Sequence, residues 1–160
     1  MDGLERLVAI EEICAVTARY ARTMDTKDWG GYRSVLSDDM VLDISATVDE
    51  GYSGPARFEG GDVVVELTRS FIGDAASVHQ LHAPEIEIIS DVSARAVWAL
   101  EDRLFYPRTD DADARDFHGW GHYHVEYIKV DGRWRMRSLT LTRLTDDVVP
   151  ADLAAYQIGR

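Results

Sequence analysis

ARAVWALEDRLFY, residues Ala94 to Tyr106, places Ala96, Trp98, Leu100, Leu104 and Tyr106 at even positions, with Arg95, Glu101 and Arg103 between them. A period of two belongs to a strand that buries one face. Asp102 shares the apolar phase. Further strand-like runs lie at about 77 to 89, 117 to 130 and 133 to 144, with this one extending over about 93 to 107. The connections SDVS (90–93), the acidic loop TDDADARD (109–116) and the DG pair at 131–132 suit antiparallel hairpins.

Upstream the period changes. From Leu4 to Met24 apolar residues recur at helical spacing, with Ile13, Val16, Tyr20 and Met24 as one stripe. MDTKDWGGYRSVL (24–36) breaks that helix near Asp25 and starts a shorter one, with Asp28 as N-cap and Trp29 and Tyr32 packing back. MVLDISA (40–46) reads as a short strand, YSGPARFEGG (52–61) as a turn, and residues 62 to 73 as a third helix ending at Gly73. Helices first and a meander afterwards define an α+β fold whose helices cover one face of a sheet. Strong curvature of that sheet would enclose an apolar pocket.

The 160 residues suit one domain over 1–160, large enough to bury about 70% of its unfolded surface. Acidic residues outnumber basic ones 29 to 17, giving a net charge of -12 spread along the whole chain. No basic face for a nucleic acid can be assembled from that composition. The lone Cys14 excludes an intramolecular disulfide, and MDGLERLVAIEE lacks the basic start and apolar core of a signal peptide, so a cytoplasmic location is expected. No apolar run approaches the ~20 residues of a membrane span, and no membrane partner is expected. Gly-rich phosphate loops, nucleophile elbows and Cys–His pairs are absent from the sequence.

Several side chains could carry chemistry. Asp102, on an apolar face, is either a carboxylic acid kept protonated by burial or a carboxylate paired with an arginine. Asp25 ends a helix, where the macrodipole disfavours an anion, so it either caps the next helix or is held by another interaction. Tyr20 lies on the buried stripe of the first helix, where a core aromatic with a bonded hydroxyl is the plain reading. In the last strand Trp134 and Met136 are even but Leu139 and Leu141 are odd, so the phase changes near Ser138 and Arg143 joins the leucine face. HGWGHYH (118–124) sets His122 and His124 on one strand face, a weak metal signal without a third or fourth ligand. In SVHQLHAPEIEI (77–88), plain alternation back from Ile86 and Ile88 puts His82 inside and His79 outside.

The segments RYARTMD, KDW, LSDDMVLDI, HQLHAPEIEI, ARAVWALEDRLFY, GHYHVEYIKVDGRWRM and LTR together resemble the SnoaL-like branch of the NTF2-like superfamily, and within it the bile-acid 7α-dehydratases. The resemblance runs from the first helix to Arg143, while VVPADLAAYQIGR (148–160) has no match. It implies a cone of three helices against a curved, mixed, mainly antiparallel sheet around an apolar pocket. It also implies a catalytic set of Tyr20, Asp25, His79, Asp102 and Arg143, with Ile44, His82, Trp98, Leu100 and Tyr123 as substrate contacts. Ile44 stands where the dehydratases carry a tyrosine.

The activity so implied is a cofactor-free, metal-free hydro-lyase acting on a bulky apolar hydroxy-ketone of steroid or bile-acid type. The protein would be a homo-oligomer, dimer or trimer, formed through the outer sheet surface. An isomerase or cyclase acting on an enolisable ketone is the second reading, and a non-catalytic module for ligand binding or dimerisation the third. If His79 is the base, Pro84 must mark a bulge between His82 and Ile86, since one inserted residue reverses the facing of everything before it.

Overall fold

Asp2 and Glu5 form a reciprocal capping box that opens helix α1, Gly3–Asp25. A computed structural model describes residues 1–48, 50–107 and 115–150 of the chain. After α1 come α2 (Trp29–Ser34), β1 (Leu36–Asp43), β2 (Arg57–Glu59), α3 (Gly61–Ile72), β3 (Ala76–Leu81), β4 (Glu85–Ser90), β5 (Ser93–Phe105), β6 (Arg115–Val130) and β7 (Arg133–Pro150). The strands form one sheet in the order β2-β1-β7-β6-β5-β3, with β4 also pairing with β5 beyond the end of β3. Its pairings are antiparallel except for β1 beside β7, and the three helices pack against it. This is the α+β cone expected from the sequence.

Bulges bend the sheet and set its facing. Opposite β6, Glu126 faces Ser138 while Tyr127 faces Met136, which leaves Arg137 as an inserted residue. That insertion is the phase change near Ser138, and it buries Trp134, Met136 and Leu139 together. A second shift pairs Gly121 with Arg143 and Trp120 with Thr145, so that Leu144 is the extra residue, 72% exposed. The run expected as one strand from 77 to 89 is two. Leu81 faces Leu100 and Glu85 faces Val97, so three residues, His82 to Pro84, span two on β5. One residue is inserted there.

Other expectations need correction. The strand read at 40–46 begins earlier, at Leu36, and stops at Asp43, whose carboxylate accepts from the Ser45 N–H at 2.9 Å and turns the chain into a short 3₁₀ helix. β2 lies inside the stretch read as a turn, and its three residues are too few to show a period. On α1 the centre of the buried stripe is Thr17, while Val16 is only partly buried. Of the acidic loop at 109–116, residues 109–114 lie outside the described residues, as does 151–160.

Thr17 is tolerated inside because its hydrogen bonds are complete. Its hydroxyl donates to the Ile13 carbonyl at 2.9 Å and so accepts from the Tyr127 hydroxyl at 2.7 Å, which in turn accepts from the Trp98 indole N–H at 2.9 Å. This chain ties α1 to β5 and β6. Tyr127→Phe would strand the indole donor and remove the phenol from Thr17, so a loss of about 1–3 kcal/mol is expected in urea denaturation. A stability unchanged from wild type would show that the chain contributes nothing.

Candidate active site

Asp25 is the last helical residue of α1, and β3 supplies the donors that hold its charge. Its Oδ1 accepts from the Ser77 hydroxyl at 2.9 Å and from His79 Nδ1 at 2.6 Å, and its Oδ2 accepts from the His79 backbone N–H at 2.9 Å. A carboxylate can only accept, so the neutral imidazole carries its proton on Nδ1 and keeps the lone pair of Nε2 free for chemistry. The bulge at Pro84 turns the His79 ring inward, where its side chain is 6% exposed. His82 is exposed, its backbone N–H bonded to the Ala99 carbonyl at 3.0 Å. The same inserted residue that buries His79 turns His82 to the periphery.

His79 sits directly opposite Asp102 on β5. Because its N–H goes to Asp25 and not to β5, the two form a non-hydrogen-bonded pair, the arrangement in which facing side chains approach most closely. Asp102 is 3% exposed. Both of its oxygens accept from Arg143, with Nη2 to Oδ2 at 2.8 Å and Nη1 to Oδ1. That fork is the geometry of a carboxylate paired with an arginine, the second of the two readings open for Asp102. Burial alone would lower the Arg143 guanidinium, but the bonds and charge of Asp102 outweigh it and hold it above its ordinary value.

The ion pair crosses β6 at a glycine. Gly119 faces Asp102, and a Cβ there would lie 2.5 Å from Arg143 Nη1 and 2.8 Å from the Phe117 ring on which that guanidinium stacks. Gly121, two residues on and in the same phase, would put a Cβ 2.0 Å from the Thr142 carbonyl oxygen. The glycines of HGWGHYH thus matter to the site more than its histidines do. His122 and His124 lie 6.3 Å apart between ring centres, and no group of three or more metal-ligating side chains forms among the described residues.

Phenols complete the surroundings. The ring of Tyr20 is 5.0 Å from that of Tyr32 and meets Tyr123 edge-on at 6.1 Å. Burial, followed by the neighbouring Tyr32 and Tyr123, pushes the Tyr20 phenol well above its ordinary range. Burial and then Asp102 do the same to Tyr123. Both phenols remain donors at neutral pH. Trp98, Leu100 and Tyr123 are buried on the inner face, and Ile44 is partly buried just after β1. A groove of about 390 Å³ runs between α1 and β3, lined by Ala18, Ala21, Arg22, Asp25, His79 and Leu81. The larger concavity, about 650 Å³, lies among Glu85, Glu87, Arg95, His124 and Glu126 and contains none of the expected catalytic residues.

The sequence profile of the SnoaL-like domain matches residues 5–140. The chain belongs to the SnoaL-like family. Among solved structures this SnoaL-like protein is similar to a scytalone-dehydratase-like protein of Novosphingobium aromaticivorans, with a TM-score of 0.75 and 16% identity over 98% of this chain and 97% of the other. It is similar also to the type-3 hexachlorocyclohexane dehydrochlorinase LinA of Novosphingobium barchaimii, at 0.75 and 15% over 92% and 94%. A protein of Kribbella flavida aligns at 0.74 and 21% over 86% and 91%. At these identities the likeness is one of fold. No helix among the described residues is long and apolar enough to cross a membrane.

Sequence reasoning missed Ser77 and Gly119. Only the glycines carried a readable signal, two of them in one phase of a strand otherwise rich in aromatics. Gly119→Ala should cost about 3 kcal/mol or more, because displacing the guanidinium leaves Asp102 buried and alone. Most of that cost should vanish in an Asp102→Asn/Arg143→Met background, measured as a double-mutant cycle in urea. An equal cost in both backgrounds would mean that Gly119 serves the backbone and not the pair.

Proposed function

We propose that this SnoaL-like protein is a cofactor-independent hydro-lyase acting on a bulky apolar hydroxy-ketone of steroid or bile-acid type. The observation that carries the reading is the Asp25–His79 pair, which leaves Nε2 free on a ring that stands opposite the Asp102–Arg143 pair. Similarity to proteins named for a dehydratase and a dehydrochlorinase supports an elimination. The groove beside His79 falls within the ~300–1,000 Å³ usual for small-molecule sites.

His79 Nε2 takes the proton on the carbon next to the substrate ketone. Asp25 stabilises the imidazolium that results, and Tyr20 donates to the enolate oxygen. Collapse of the enolate forms the carbon–carbon double bond and breaks the bond to the β-hydroxyl, which leaves as water with the proton carried by His79. This assignment needs no acid at Asp102. The Asp102–Arg143 pair instead fixes a guanidinium near the site, whose remaining N–H groups can hold a substrate oxygen.

The test incubates the protein with a panel of β-hydroxy-3-oxo steroids and follows loss of one water by mass spectrometry. His79→Ala should lose about 10²–10⁴-fold in rate, while His82→Ala should stay near wild type. Exchange of the α-hydrogen for deuterium without loss of water would replace elimination by isomerisation. An undiminished rate in His79→Ala would remove His79 as the base.

A further inference from the structure

Helix α1 ends in a complete Schellman motif: the Lys27 N–H donates to the Met24 carbonyl at 3.2 Å and the Asp28 N–H to the Thr23 carbonyl at 2.9 Å. The residue in the left-handed position of that motif is normally glycine, because a Cβ is strained there. Here it is Lys27, at φ 59°. The other non-glycine residue with positive φ among the described residues is Asp131, in the Asp-Gly turn between β6 and β7, where turn chemistry selects it. Nothing in the helix ending itself selects a lysine at 27. An outlier of this kind points to work done by the side chain.

The Lys27 ammonium lies 3.3 Å from the Ser77 hydroxyl oxygen, and Ser77 is buried at 7% exposure. An ammonium only donates, so Ser77 must turn its lone pair toward Lys27 and its single proton toward Asp25 Oδ1, 2.9 Å away. That oxygen is the one bonded to His79 Nδ1. We propose that Lys27 is a positioning residue for the His79 base: through Ser77 it orients and partly neutralises the Asp25 carboxylate that holds the imidazole. The inference rests on reading His79 as the base.

Other charged groups stand around the ring. On α1, Arg22 lines the same groove as Asp25 and His79, and Tyr20 is neutral. On β5, Asp102 faces His79, but it is matched by Arg143 from β7. Burial lowers the Lys27 ammonium, while Asp25 and then Asp74 pull it back up. With Lys27 removed, Asp25 acts on the imidazolium unopposed by this cation. The charged form of His79 then gains, and its titration moves to higher pH.

The test is an NMR titration of the His79 imidazole in the full-length protein, with melting temperatures, for wild type, Lys27→Gly, Lys27→Met and Lys27→Arg. Lys27→Gly should melt no lower than wild type, because it relieves the left-handed strain. In both Lys27→Gly and Lys27→Met the titration midpoint should rise by about half a pH unit or more, and Lys27→Arg should stay close to wild type. Unmoved midpoints in the glycine and methionine variants would overturn the proposal, as would an arginine variant that shifts as far as methionine. No substrate is needed, so a shifted midpoint without any elimination activity would retain Lys27's effect on His79 and reject the reaction.

Discussion

The carboxylate of Asp25 joins the end of a helix to the edge of a sheet, and the site depends on that junction. β3 is an outer strand, whose backbone donors on one side have no ladder partner. Asp25 accepts one of these, the His79 N–H, with one oxygen and takes the His79 ring with the other. One side chain thereby closes the sheet edge, answers an anion at a helix C-terminus, and fixes an imidazole tautomer. The position of the strand and the tautomer of the ring are set by the same bonds.

The second pair answers to a different constraint. A buried ion pair contributes little net stability compared with apolar packing, whereas removing one partner costs about 3–5 kcal/mol. Asp102 and Arg143 stand on strands separated by β6, so their meeting requires β6 to present no side chain where they cross. Gly119 provides that gap, and the bulge at Leu144 brings Arg143 opposite Gly121 on the inner face. Two bare glycines and an inserted residue are poor choices for packing alone. They make sense as the conditions for holding a guanidinium on Asp102, opposite His79.

Much of this was legible in the sequence because facing follows from a count of residues. The alternation in ARAVWALEDRLFY placed Asp102 inside and the mismatch between Met136 and Leu139 located one bulge, whereas plain alternation put His79 outside and the bulge at Pro84 was expected only from the family resemblance. What stayed hidden involves partners distant in sequence. The parallel pairing of β1 with β7 leaves no local mark, and neither does the meeting of Asp102 with Arg143 across β6. The place of Thr17 in the core depends on Tyr127 and Trp98, which satisfy its hydroxyl from far along the chain. Lys27 reads as an ordinary surface cation, because only the backbone angle shows that it occupies a glycine's place.

The central claim is that Asp25 holds the neutral imidazole of His79 with its proton on Nδ1 and its lone pair on Nε2. Long-range ¹H–¹⁵N correlation spectra of the ¹⁵N-labelled protein, recorded at a pH where the ring is neutral, report this state directly. The account predicts a pyrrole-type nitrogen at Nδ1, with a downfield proton lost in Asp25→Ala, and a pyridine-type nitrogen at Nε2. A neutral ring with its proton on Nε2 would contradict it, because the lone pair would then face a carboxylate and the nitrogen assigned to catalysis would have none to offer.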